Sequence, residues 1–90
     1  MIGMSKNIKV VYYVDTDDNT KGCLCAIPFD KDMRDPSVIE NVTSTIVESG
    51  ILAQFSGFAY EISKAVCHHG YANFKDYEFG VEEIPLIEIK

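Results

Sequence analysis

Asp35-Pro36-Ser37-Val38-Ile39-Glu40-Asn41-Val42-Thr43-Ser44-Thr45-Ile46-Val47-Glu48-Ser49-Gly50 is the stretch on which the fold turns. Asp35 offers a side-chain acceptor at a helix N-cap. Pro36, with its φ already set and no N–H to satisfy, suits the first helical position. Ser37 with Glu40 forms a competing capping box, and Gly50 is a left-handed stop. As a helix, the segment places Val38, Ile39, Val42, Ile46 and Ser49 on one stripe. Composition pulls the other way, because Val38, Ile39, Val42, Thr43, Thr45, Ile46 and Val47 are β-branched and lose rotamer freedom in a helix. The alternative pairs residues 45–47 with 51–55 as strands across Glu48-Ser49-Gly50.

Downstream the helical period is clearer. At 100° per residue Ile51, Phe55, Phe58, Ala59, Ile62, Ala65 and Val66 share a face, with Ser56, Tyr60, Ser63 and Lys64 away from it, until Gly70 ends the run. Upstream the period is two: Ile8, Val10, Tyr12 and Val14 fall on one face of a strand, and Lys9, Val11 and Tyr13 on the other. Residues 15–22 are turn-forming and lead into Cys23-Leu24-Cys25-Ala26-Ile27-Pro28, so a β-hairpin is expected, followed by a charged loop over 29–35. Near the C-terminus Tyr77, Phe79 and Val81 oppose Glu78, Gly80 and Glu82, and Pro85 confines Leu86 to Ile89 to an edge strand or a bend.

The expected architecture is α+β: an antiparallel sheet of three to four strands with two helices packed on one face, in the order ββααβ(β). Ninety residues make one domain spanning 1–90, with 1–6 expected to be flexible.

Composition narrows the function. Apolar types make up 47% and charged types 24%, as in an ordinary globular domain. Fourteen acids against eight bases give −6, which argues against a direct nucleic-acid binder held by phosphate contacts. No apolar run approaches the length that spans a bilayer, and no export signal is read at the N-terminus. Three cysteines are too few and odd in number for a disulfide scaffold, so free thiols and a cytoplasmic location are expected.

The most chemical-looking set is Cys23 and Cys25 with Cys67, His68 and His69. A zinc- or redox-responsive module would use Cys23, Cys25, Cys67 and His68, since alternate residues of a strand point to the same side. Against this, the spacing is CxC, and consecutive helical side chains diverge by 100°. The plainer reading makes Cys23 and Cys25 small core residues beside Ile27, Cys67 a polar-face residue at a helix C-terminus that disfavours a nucleophilic thiolate, and His69 a partly buried, hydrogen-bonded histidine. Asp15, Asp17 and Asn19 superficially follow a calcium loop, but Thr20 and Ala26 stand where a glycine and a bidentate Glu are required. Glycine-rich phosphate motifs are absent, so no catalytic residue and no cofactor is expected.

Tyrosines beside acids fit a protein-facing surface, because Tyr combines contact area with low ordering cost. The best segment is Tyr71 to Lys90, and the expected partner-binding residues are Tyr71, Asp76, Tyr77, Glu78, Glu82 and Glu83, sharing one solvent-facing sheet surface. The expected function is non-enzymatic binding of another protein with a basic surface. Its concrete form is an inhibitor of phage type that occludes a nucleic-acid channel. A homo-oligomer built on the edge strand Leu86 to Ile89, holding a small ligand between subunits, is the further alternative.

Overall fold

The computed structural model describes residues 6–28 and 30–86, within which β1 (Lys6–Asp15) and β2 (Thr20–Ile27) form the expected hairpin. The turn is built from its own side chains: Asp15 accepts from the Asp17 N–H at 3.0 Å, Asp18 accepts from the Thr20 N–H at 3.1 Å, and Asn19 supplies a positive φ of 62°. Helix α1 (Pro36–Ser49) starts as its sequence dictates, with the Asp35 carboxylate accepting from the Ser37 N–H at 2.9 Å. It ends at Gly50 in the left-handed region (φ 76°). The alternative strand pairing of 45–47 with 51–55 is therefore not adopted: capping at both ends and burial of Val38, Ile39, Val42 and Ile46 outweigh the β-branched composition. Ser49, expected on that stripe, is exposed, its hydroxyl donating to the Ile46 carbonyl at 2.6 Å.

The second helix is shorter than its apolar period implies. Ala53 takes a positive φ of 51° and Phe55 a non-helical φ/ψ of −97°/19°. Residues Ala53–Phe58 thus form a 3₁₀ turn before α2 (Ala59–His69) begins. Ser56 and Gly57 in succession give this stretch little helix propensity of its own. Two further corrections follow from how α2 is covered. It packs against α1 on one side and against the sheet on another, so it buries a wider arc than one stripe. Ser63, expected to face water, is fully buried and donates to the Ala59 carbonyl at 2.8 Å; Cys67, expected on the polar side, is buried as well.

Past Gly70 the chain forms β3 (Tyr71–Phe74), a two-residue turn with Lys75 at φ 54°, and β4 (Tyr77–Leu86). All pairings are antiparallel and the strand order is β2-β1-β4-β3, which with the two helices makes the α+β fold in the order ββααββ. The second C-terminal strand is thus β3, ahead of the expected one, and β4 runs through Pro85 to Leu86 without a break. Pro85 is tolerated because β3 reaches only to Gly80, leaving the outer side of β4 from Val81 onward without a neighbour among the described residues. Residues 87–89 of the expected edge strand, and residues 1–5 of the expected flexible end, lie outside the described residues.

The pleat decides what is core. Val11 and Phe79 point at the helices and pack with Ile27, Val42, Ile46, Ile62 and Val66, flanked by Tyr13, Tyr77 and Val81. Removing the side chain of Ile46, which is fully buried, should cost about 3 kcal/mol of unfolding free energy in urea titration, whereas the same change at exposed Val47 should cost little. The hydrogen bonds from Ser37 hold the Asp35 carboxyl below its ordinary value of 3.8. A carboxyl lowered by folding stabilises above its unfolded value, and that contribution fades as the pH falls through the folded one. The stability gap between the native chain and Asp35→Asn should accordingly narrow below pH 3.8 in thermal melts.

Candidate functional site

Because both helices lie on one side, the sheet has a second, helix-free face. Strand alternation in β1 assigns Ile8, Val10, Tyr12 and Val14 to it, each half-buried and none part of the core cluster. The register places Ile84 opposite Ile8, Glu82 opposite Val10, Gly80 opposite Tyr12 and Glu78 opposite Val14. Tyr71, opposite Gly80 on the far side of β4, carries the same face outward and is 64% exposed.

Tyr12 organises the middle of this face. Its ring lies across Gly80, where a Cβ would come within 2.6 Å of the Tyr12 hydroxyl, so the ring can lie flat only because residue 80 is glycine. The Lys21 ammonium sits 4.4 Å from the centroid of the same ring and 2.6 Å from Glu82 Oε1. The bond to Glu82 raises the Lys21 pKa. Both partners are about half exposed, so the pair orders the surface more than it stabilises the fold.

Of the residues expected to bind a partner, Tyr71, Glu78 and Glu82 are brought together on the helix-free face. The others are not, and the reason is the period of two in β4. Tyr77 points to the helix side, where its ring meets Tyr13 edge-on at 5.8 Å. Burial, then the charges of Asp15 and the neighbouring turn carboxylates, raise its pKa. Glu83 faces the helix side of the strand and accepts from Asn7 Nδ2 at 2.8 Å. Asp76 lies in the β3–β4 turn, and its carbonyl accepts from both the Thr16 N–H (2.8 Å) and the Thr16 hydroxyl (2.9 Å). That tie draws the two turns together, so Asp15, Asp17, Asp18 and Asp76 form an acidic end of the sheet.

The apolar row Ile8, Val10, Tyr12 and Val14, the centre of the face, was not expected to be part of the site. Its alternation is plain in the sequence, but the sequence does not say which face the helices cover.

The cysteines separate for a similar reason. Between Val11 and Tyr12 the β1–β2 register shifts: Val11 faces Cys25 but Tyr12 faces Cys23, so Leu24 is the extra residue of a bulge. Leu24 and Cys25 both pack on the core, and Cys23 is turned to the helix-free face and exposed. Cys23 and Cys25 therefore do not share a side, and Cys23 is not the core residue expected. Burial, with a lesser contribution from nearby Cys25, pushes the Cys67 thiol up to about 11. His68 and His69 are both exposed at the end of α2, correcting the expected burial of His69. Among the described residues no three His, Cys, Asp or Glu side chains gather as a metal set. None of the described helices is long and apolar enough to cross a membrane.

Comparison with protein-family models, with curated proteins and with solved structures finds no match to this chain.

The three thiols should differ sharply in a reagent titration at pH 8: Cys23 modified fast in the native protein, Cys67 only on unfolding. Rapid native labelling of Cys67 would contradict its placement.

Proposed function

We propose that this chain is a non-catalytic domain that binds another protein through the helix-free face of its sheet, and that the partner presents a basic surface. The observation that carries the reading is the row Ile8, Val10, Tyr12 and Val14 with Ile84, apolar side chains that the fold leaves outside its own core. Protein interfaces have an apolar, aromatic centre inside a polar rim, and Glu78, Glu82, Lys21 and Tyr71 supply such a rim. Tyr12, held flat over Gly80, and Tyr71 present rigid ring area with little rotamer entropy to lose on binding. The acidic turn end and a net charge of −6 add a field that speeds encounter with a positive partner. Occlusion of a basic nucleic-acid-binding surface, as by an inhibitor of phage type, is the concrete form of this activity.

The test is capture of partners on immobilised protein, comparing the native chain with Tyr71→Ser/Ile84→Lys on the helix-free face and with Tyr60→Ser on the helix layer. Partner retention should fall roughly tenfold or more for the first variant and stay unchanged for the second. Glu78→Gln/Glu82→Gln should flatten the salt dependence of binding. Equal retention by all variants, or a stable dimer in sedimentation that Tyr71→Ser/Ile84→Lys dissociates, would overturn the reading.

A further inference from the structure

On the opposite side of the molecule, a groove of about 440 Å³ runs between the start of α1 and the end of α2. Its walls come from two helical stripes, Ile39 and Glu40 with Thr43 on α1, and Tyr60, Lys64 and His68 at successive i+4 positions on α2, and Arg34 closes one end. Arg34 is the sole arginine of the chain. Its place before the N-cap is pinned by the backbone, since the Arg34 N–H donates to Asp32 Oδ1 at 2.9 Å.

The charges here run against those of the rest of the protein. In a chain of net charge −6, this groove holds two full cations, Arg34 and Lys64, against one carboxylate, Glu40. Two of the other basic side chains are engaged, Lys21 with Glu82 and the Tyr12 ring and Lys75 over the rings of Phe55 and Phe74, whereas Lys9 and Lys31, like Arg34 and Lys64, form no ion pair among the described residues. Among the described residues Lys21–Glu82 is the one ion pair, so neither Arg34 nor Lys64 is held in a salt bridge there. The Thr43 hydroxyl donates to the Ile39 carbonyl at 2.7 Å, and Ile39 and the Tyr60 ring give the groove apolar lining.

We propose that this groove binds a small organic anion, a single anionic headgroup on an apolar body. A guanidinium grips a carboxylate or phosphate with two parallel N–H donors, and an ammonium adds a point charge from the facing helix. His68 and the Tyr60 hydroxyl supply further hydrogen-bonding groups, and the apolar body lies on Ile39 and the Tyr60 ring. The volume suits a ligand of one or two rings. This site is separate from the helix-free sheet face, and neither reading depends on the other.

The experiment is an amide NMR titration of the full chain with benzoate and with phenyl phosphate, using benzyl alcohol and inorganic phosphate as the apolar and anionic halves alone. The expected result is saturable shifts confined to residues around Arg34, Ile39, Tyr60, Lys64 and His68. Both intact probes should bind roughly tenfold or more tightly than either half. Whichever of the two binds more tightly tells a carboxylate ligand from a phosphate ester. Arg34→Gln/Lys64→Gln should weaken binding at least tenfold, and Glu40→Gln should strengthen it. The spectra themselves report whether each exposed variant is folded. Shifts scattered over the molecule, equal response to benzyl alcohol, or affinity unchanged in Arg34→Gln/Lys64→Gln would overturn the proposal.

Discussion

The pairing of β1 with β4 is the constraint from which the rest follows. It runs from Lys6 opposite Leu86 to Asp15 opposite Tyr77, joining the two ends of the chain along the middle of the sheet. Every other element is placed by it: β2 hangs on β1 by a hairpin, β3 on β4 by another, and the helices lie across the surface that this register makes apolar. Contacts of such large sequence separation carry a high loop-closure entropy, so the helical segment between them must be held by packing and not by local order alone. The capping of α1 by Asp35 and Gly50 lowers that entropic demand.

Much of this was legible in the residues. The hairpin at 15–22, the Asp35-Pro36 helix start, the Gly50 and Gly70 stops and the alternation over 77–81 each rest on a local backbone preference, and local preferences can be read one segment at a time. What was not legible depends on several elements at once. The β3 strand is four residues closed by Lys75-Asp76, which lacks the glycine or asparagine that usually marks a tight turn, although Ala72 and Phe74 do alternate with Asn73. The bulge at Leu24 leaves no compositional trace, yet it alone puts Cys23 and Cys25 on different sides. Burial of Ser63 and Cys67 comes from α2 being covered by two neighbours, which no single-helix projection contains.

The partner-facing residues divide the same way. Acids and tyrosines near the C-terminus are evident by eye, but period-two geometry distributes them between the two faces of β4, keeping Glu78 and Glu82 with Tyr71 and sending Tyr77 inward. The apolar row Ile8, Val10, Tyr12 and Val14 lies on the side the helices leave open. A surface made of such residues is more costly to expose than one of mixed polarity, and that cost is returned when something covers it. Charge is similarly partitioned, with the acidic turns at one end of the sheet and the cations Arg34 and Lys64, in no salt bridge among the described residues, on the helix layer.

The outer side of β4 beyond Gly80, unpaired among the described residues, bears on how readily the sheet could be extended by another chain. A bare row of backbone donors and acceptors is a template on which other chains can add, the first step towards fibrils. Here that row carries Glu82 and Glu83 in succession and then Pro85, which has no N–H to offer an incoming strand. Like charge would repel a stacked copy and the proline would interrupt its hydrogen bonding, so the same short segment that completes the sheet would also oppose its extension.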